Sequence, residues 1–185
     1  HSRHIITDIG SSKLMSLRVV NKNLRKGLFW TSSHPIAGSE VSGPENGKQN
    51  LFENKWCILI IGCGLLGSSL LRKIHKKRLA KKIFVYETSK RNIKKIKRLK
   101  LPGTLIRKPE DVVSQSELII FCTPMSEYKK IILKINKNLH SRHIITDIGS
   151  SKLMSLRVVN KNLRKGLFWT SSHPIAGSEV SGPEN

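Results

Sequence analysis

From residue 55 onward the chain alternates two hydrophobic patterns. Short apolar runs recur as KWCILIIG (55–62), KIFVYE (82–87), TLIRK (104–108), ELIIFC (117–122), HIITDIG (143–149) and LFWTSS (167–172). Such runs have the length and continuity of strands buried on both faces. Between them apolar residues return every three or four positions. Leu66, Leu70 and Ile74 share a helical face in 65–79, as do Ile93 and Ile96 in 89–100, and 125–138 and 151–165 read as further helices. Pro109 opens a short helix, while the Pro-Gly pair at 102–103 and Gly166 stop two others. Regular alternation of strand and helix predicts an α/β fold, a doubly wound parallel sheet with right-handed crossovers and helices on both faces.

A second pattern overlies the first. Residues 1–46 return without a mismatch as residues 140–185. The unit is far longer than a solenoid repeat, and its copies have not diverged. The expected organisation is therefore an extra, peripheral strand–helix–strand copy at 1–46 and one α/β domain over 47–185. The first copy should form strands near 4–8 and 28–33 around a helix at 12–25. The second follows helix 125–138 through a short link, so it should supply the fifth and sixth strands of the sheet.

The glycine pattern carries the first candidate chemistry. IIGCGLLGSSL places Gly62, Gly64 and Gly67 as GxGxxG, after a strand and at the opening of a helix, with Glu87 at the end of the next strand. Gly62 suits a tight turn, Gly64 lets the backbone approach a pyrophosphate, and Gly67 lets helix and strand pack closely. Leu65 and Leu66 open the helix whose N-terminus faces the phosphates. These features predict a Rossmann-like NAD(P)-binding domain. Glu87 is placed to accept both ribose hydroxyls and favours NAD, because it repels a 2′-phosphate. Ser89, Lys90 and Arg91 just after it keep NADP open.

Composition narrows the remaining classes. The chain is 38% hydrophobic, which argues against compositional disorder. Its longest apolar run, around WCILIIG, is too short for a membrane span. Cys57, Cys63 and Cys122 form no CxxC pair and lie in strand-like runs, so buried reduced thiols are expected rather than disulfides or a metal site. The chain begins at His1 with no signal-peptide pattern, and a cytoplasmic location is expected. The net charge of +22, from 34 Lys+Arg against 12 Asp+Glu, is the feature that speaks for nucleic acid. Between Arg72 and Lys108 the only acid is Glu87. The basic residues nevertheless fall on the polar faces of two amphipathic helices, without interleaved aromatics, and no nucleic-acid partner is expected.

Taken together, IIGCGLLGSSL, FCTPMSEY, ITDIGSSK and HPIAGSEVSGPENGKQNLFENKWCIL resemble the prephenate/arogenate (cyclohexadienyl) dehydrogenases, in their nucleotide-binding domain only. The resemblance implies NAD(P)-dependent oxidative decarboxylation of prephenate or arogenate in tyrosine biosynthesis, by an enzyme whose full-length form is a homodimer. It assigns His173 as the group that hydrogen-bonds the substrate hydroxyl and takes its proton. Ser150 orients that imidazole, Glu179 lies near the pocket mouth, and Thr123 and Pro124 line the nicotinamide side. The family's helical dimerisation domain has no counterpart here, so turnover by this stretch alone is in question. The family's order also explains the repeat: the chain reads as a window on a circularised unit, longer than the circle. KWCIL, a late strand in that order, runs directly into the IIG that ends the first. Fused, the two can make one strand only, expected to serve as the first. Two other functions compete: a different nicotinamide-dependent hydroxyacid dehydrogenase, and a non-catalytic nucleotide- or nucleic-acid-binding module.

Overall fold

The computed structural model describes residues 5–8, 19–20, 22–23, 29–32, 56–149, 151–172 and 182–184. The chain divides into two compact units, His1–Phe52 and Glu53–Asn185. In the first, β1 (Ile5–Asp8) pairs in parallel with β2 (Phe29–Ser32), from Ile5 opposite Phe29 to Asp8 opposite Ser32.

The second unit is built on six parallel strands. They are β3 (Trp56–Ile61), β4 (Ala80–Tyr86), β5 (Thr104–Ile106), β6 (Leu118–Phe121), β7 (Ile144–Asp147) and β8 (Phe168–Ser171), in the spatial order β5-β4-β3-β6-β7-β8. The helices between them are α1 (Leu65–Lys76), α2 (Lys90–Arg98), α3 (Tyr128–Ile135) and α4 (Lys152–Asn162). The doubly wound parallel sheet expected from the hydrophobic pattern is present.

Alternation along the strands explains the two layers of core. Ile58 and Ile60 of β3 face one side, where they meet Leu71 and Ile74 of α1 and Ile96 of α2. Leu59 and Ile61 face the other, against Ile131, Ile132 and Ile135 of α3 and Val159 of α4. Both sides of β3 are dry, which is why its run is apolar without interruption. The fused segment around KWCIL therefore serves as the central strand, the one from which the glycine turn departs. The last two strands, β7 and β8, come from the second copy of the repeat.

Chain order reverses beside β3. The crossovers step outward through β4 and β5, and the next strand returns to the other edge of β3, as β6. At such a switch the loops leaving neighbouring strands diverge and open a crevice at the carboxyl ends. The loops after β3 and β6 begin at Gly62 and Cys122, with Cys122 N–H donating to Ile61 O over 2.7 Å.

Helix ends depart from the periodicity. α1 stops at Lys76 rather than near Leu79, because Arg78 takes a left-handed conformation (φ 51°) and Leu79 N–H turns back to Ile74 O. α2 stops at Arg98, with Lys100 also left-handed (φ 46°). The expected helix over 125–138 is three pieces: 3₁₀ turns at Met125–Glu127 and Asn136–Asn138 flank α3. Asn136 ties that end to α4, donating to Asn162 O at 3.1 Å while its Oδ1 accepts from Arg164 N–H.

Candidate dinucleotide site

The glycine turn has the shape its sequence demands. Gly62 lies at φ +92°, and a Cβ there would come within 2.7 Å of Thr123 Cγ2 and 2.8 Å of Cys122 O. A Cβ on Gly67 would sit 2.1 Å from Gly62 O, so this glycine permits the contact of α1 with the turn. Gly64 is different: among the described residues nothing lies within 4 Å of its Cβ position. Its open side is where a group can come against the backbone. Gly64 also caps α1, without a side-chain hydrogen bond and with no acid in the first turn. Among the described residues the helix's first N–H groups thus have no side-chain acceptor, as an anion site at a helix N-terminus requires.

A cleft runs from this turn along the carboxyl ends of β3, β4 and β6. One wall is Gly62, Gly64 and Leu65; another is Glu87, Thr88, Ser89, Arg91, Asn92 and Lys95; a third is Cys122, Thr123, Pro124 and Glu127, with Gly182 at its margin. Leu66, expected beside Leu65, packs its side chain against the core with Leu70. Thr123 Oγ1 is buried without a hydrogen-bond partner among the described residues. An orphaned hydroxyl on the wall of a cleft fits a site that takes a polar ligand. The cleft therefore suits an extended molecule with an anionic centre at the glycine turn.

Glu87 closes on its own chain. Its Oε2 accepts from Cys63 N–H at 2.9 Å and Asn92 Nδ2 at 3.3 Å, and its Oε1 accepts from Thr88 and Ser89 N–H, both at 2.8 Å. The carboxylate thus joins the glycine turn to the start of α2, where Ser89 Oγ caps Asn92 N–H at 3.3 Å. The sequence pattern did not single out Asn92 and Lys95. Their signal is helical spacing, since residues 91, 92 and 95 share the face of the first two turns of α2.

The three cysteines are free. Burial pushes the Cys63 thiol up to about 11, assisted by the Glu87 carboxylate, and burial also raises Cys122 strongly. Neither is poised as a nucleophile at neutral pH. Among the described residues no cluster of three or more His, Cys, Asp or Glu could hold a metal ion. No helix among them is long and apolar enough to cross a membrane.

β7 and β8 lie beyond β6 in the sheet. Asp147 ends β7 opposite Ser171 of β8. Asp147 is fully buried, and Tyr128 O–H of α3 donates to its Oδ2 at 3.2 Å. Burial and the neighbouring carboxylate both raise the Tyr128 pKa, so the phenol keeps its proton. Ser172 folds over the strand ends: its N–H and Oγ each donate to Asp147 O at 2.9 Å, and Oγ lies 2.9 Å from Thr146 Oγ1. Of the expected catalytic residues, Ser150, His173 and Glu179 lie outside the described residues. His143 is a packing residue: it is buried, accepts from His140 N–H at Nδ1 and has Nε2 3.0 Å from Val113 O.

Fold, glycine turn and switch-point cleft define the class, a dinucleotide-binding α/β domain. The chain belongs to the family described as prephenate dehydrogenase, nucleotide-binding domain, whose profile matches residues 1–61 and 70–185. Curated relatives include the cyclohexadienyl dehydrogenase of Zymomonas mobilis, 28% identical over 127 residues that cover 69% of this chain and 43% of that protein. The prephenate dehydrogenase of Bacillus subtilis is 26% identical over 129 residues, 68% of this chain and 34% of that one. The chain thus spans less than half the length of these relatives. Among solved structures, prephenate dehydrogenase from A. aeolicus in complex with hydroxyphenyl propionate and NAD+ superposes with a TM-score of 0.56 at 24% identity, covering 70% of this chain and 45% of that chain.

Proposed function

We propose that this chain is the nucleotide-binding part of a prephenate- or arogenate-type dehydrogenase, and that it binds NAD in the cleft between β3, β4 and β6. The observation that carries the reading is the glycine turn: Gly67 is required by a backbone contact, and Gly64 is left open on the side facing the cleft. Family membership and the NAD+ bound to the A. aeolicus neighbour support the choice of ligand. Gly64, Leu65 and the first N–H groups of α1 would hold the pyrophosphate, with Thr123 and Pro124 toward the nicotinamide. When bound, the dinucleotide supplies a hydride acceptor.

The substrate would be a cyclohexadienol carboxylate, prephenate or arogenate. Its C4 loses hydride, its 4-hydroxyl proton is taken up by the protein, and the ring carboxylate leaves as CO2. The electron pair freed by decarboxylation completes the aromatic ring, and the proton returns to the phenol oxygen. His173 is the proposed proton acceptor, since an imidazole with pKa near ~6.5 exchanges protons at neutral pH. It directly follows Ser172, which Thr146 and Asp147 hold at the strand ends. Ser150 would orient the imidazole, and Glu179 would sit at the pocket mouth. In the full-length protein a homodimer is the expected assembly.

The test has two stages. NADH titration of the chain itself should show saturable binding that Gly64→Val abolishes. In the chain extended by the part of the Zymomonas relative that it does not span, prephenate or arogenate should drive NADH formation. His173→Asn should cut that rate by about 10²–10⁴-fold while leaving NADH affinity unchanged. Equal loss from His34→Asn would move the site to the first copy of the repeat.

A further inference from the structure

The reaction proposed above needs two side chains held in fixed relation, and they leave the sheet from different strands. Ser150 comes three residues after Asp147, the end of β7, and His173 comes two residues after Ser171, the end of β8. Asp147 meets the chain on both routes. Its backbone carbonyl accepts from Ser172 N–H and from Ser172 Oγ, each at 2.9 Å, which fixes the residue before His173. Its carboxylate faces the loop toward Ser150. A Cβ on Gly149 would lie 3.0 Å from Asp147 Oδ2 and 3.2 Å from Tyr128 Oη. Gly149 does not take a positive φ, so this position is glycine for room and not for backbone freedom. The chain leaving β7 is laid directly on the Tyr128–Asp147 pair.

The pair is built to stay in place. Tyr128 and Asp147 are both fully buried, joined by the 3.2 Å hydrogen bond from the phenol to Oδ2. The tyrosine ring is wedged edge-on to Phe121, with centroids 5.2 Å apart, and against Trp169 at 5.9 Å. Asp147 is the one buried acid among the described residues. Burying a carboxylate is costly, and an apolar side chain of similar size is often the more stable choice. Its retention at the end of a core strand points to a task other than stability. Asp147 lies within the repeat and recurs as Asp8, whereas Tyr128 lies outside it and has no second copy.

We infer that Asp147, locked by Tyr128, is the positioning residue of the proton-transfer step: its carbonyl sets the strand end that leads to His173, and its carboxylate sets the loop that leads to Ser150. Both residues are buried and act through the imidazole and the serine, not on the substrate. The assignment rests on the dehydrogenase reading and adds to it the residues that hold its reacting groups in register.

Kinetics of the extended chain described above, with prephenate or arogenate and NAD, test this well below each variant's melting temperature. Tyr128→Phe removes one hydroxyl and should lower kcat by about 10–100-fold, within what misplacing a reacting group by about 1 Å costs. KM and NADH affinity should stay within about twofold, since the lost interaction serves the reacting groups and not binding. Asp147→Asn should lose at least as much, and Gly149→Ala, which presses on the pair, should lower kcat in the same way. Asp8→Asn, the same change in the same peptide sequence but without Tyr128, should leave kcat unchanged. A Tyr128→Phe variant with unaltered kcat would overturn the inference. So would kcat and NADH affinity falling together, the mark of a structural role alone, or an equal loss from Asp8→Asn. No turnover by the parent extended chain, with NADH still bound, would overturn the dehydrogenase reading itself, a separate outcome.

Discussion

A methyl group added at Gly67 and one added at Gly64 should have opposite effects. Gly67→Ala forces its methyl onto Gly62 O, a contact that only a shift of α1 relieves. It should lower stability by about 1–3 kcal/mol, as overpacking does, and weaken nucleotide binding with it; thermal melts with and without NADH read both. Gly64→Ala meets nothing among the described residues. Its melt should be unchanged while its NADH affinity falls, and a lowered melting temperature would contradict the open cradle. His143 supplies a pH prediction. Burial pushes its pKa below the ordinary 6.5, and its Nδ1 already accepts from His140 N–H. The unfolded chain therefore binds a proton that the folded chain resists. Its stabilising contribution is fully present above pH ~6.5 and is lost progressively as pH falls below that value toward the folded pKa. His143→Gln should flatten that part of the stability–pH curve, measured by urea melts at several pH values.

At the scale of elements, strands were legible and helix ends were not. Apolar runs such as 55–62 and 117–122 announce β3 and β6 because both sheet faces are covered and every position must be apolar. α1 and α2 end on left-handed Arg78 and Lys100, residue types that carry no stop signal comparable to glycine. Gly166, read as the stop of the fourth helix, lies beyond the actual end at Asn162. The candidate site divides the same way. Gly62 and Gly67 declare themselves because only glycine satisfies their geometry, and Gly64 by its place in the GxGxxG pattern between them. The partners of Glu87 do not, since Asn92 reaches it only once Ser89 has capped α2. Replacing Arg78 or Lys100 with glycine relieves a left-handed side chain, a strain of about 1–2 kcal/mol. The added freedom of the unfolded chain takes back about 0.5–1 kcal/mol. Each change should therefore raise stability by a net of about 0.5–1 kcal/mol, a shift that urea melts resolve.

At the scale of the molecule, the division at Phe52/Glu53 leaves every strand of the six-stranded sheet on one side. A chain trimmed to residues 53–185 should accordingly keep its cooperative melt and its NADH affinity; loss of either would show that the first unit is needed to build the site. The repeat has one more use. β1 and β2 pair with the same residues and the same register as β7 and β8: Ile5 faces Phe29 as Ile144 faces Phe168. Yet β7 is flanked on its other edge by β6, whereas among the described residues β1 has β2 alone as a neighbouring strand. The protein thus contains an internal control for its own architecture. Amide exchange at Ile6 and at Ile145 compares one peptide sequence in two settings, in one tube and at one pH, and the ratio of their protection factors reads out directly what a flanking strand adds to a strand that is otherwise the same.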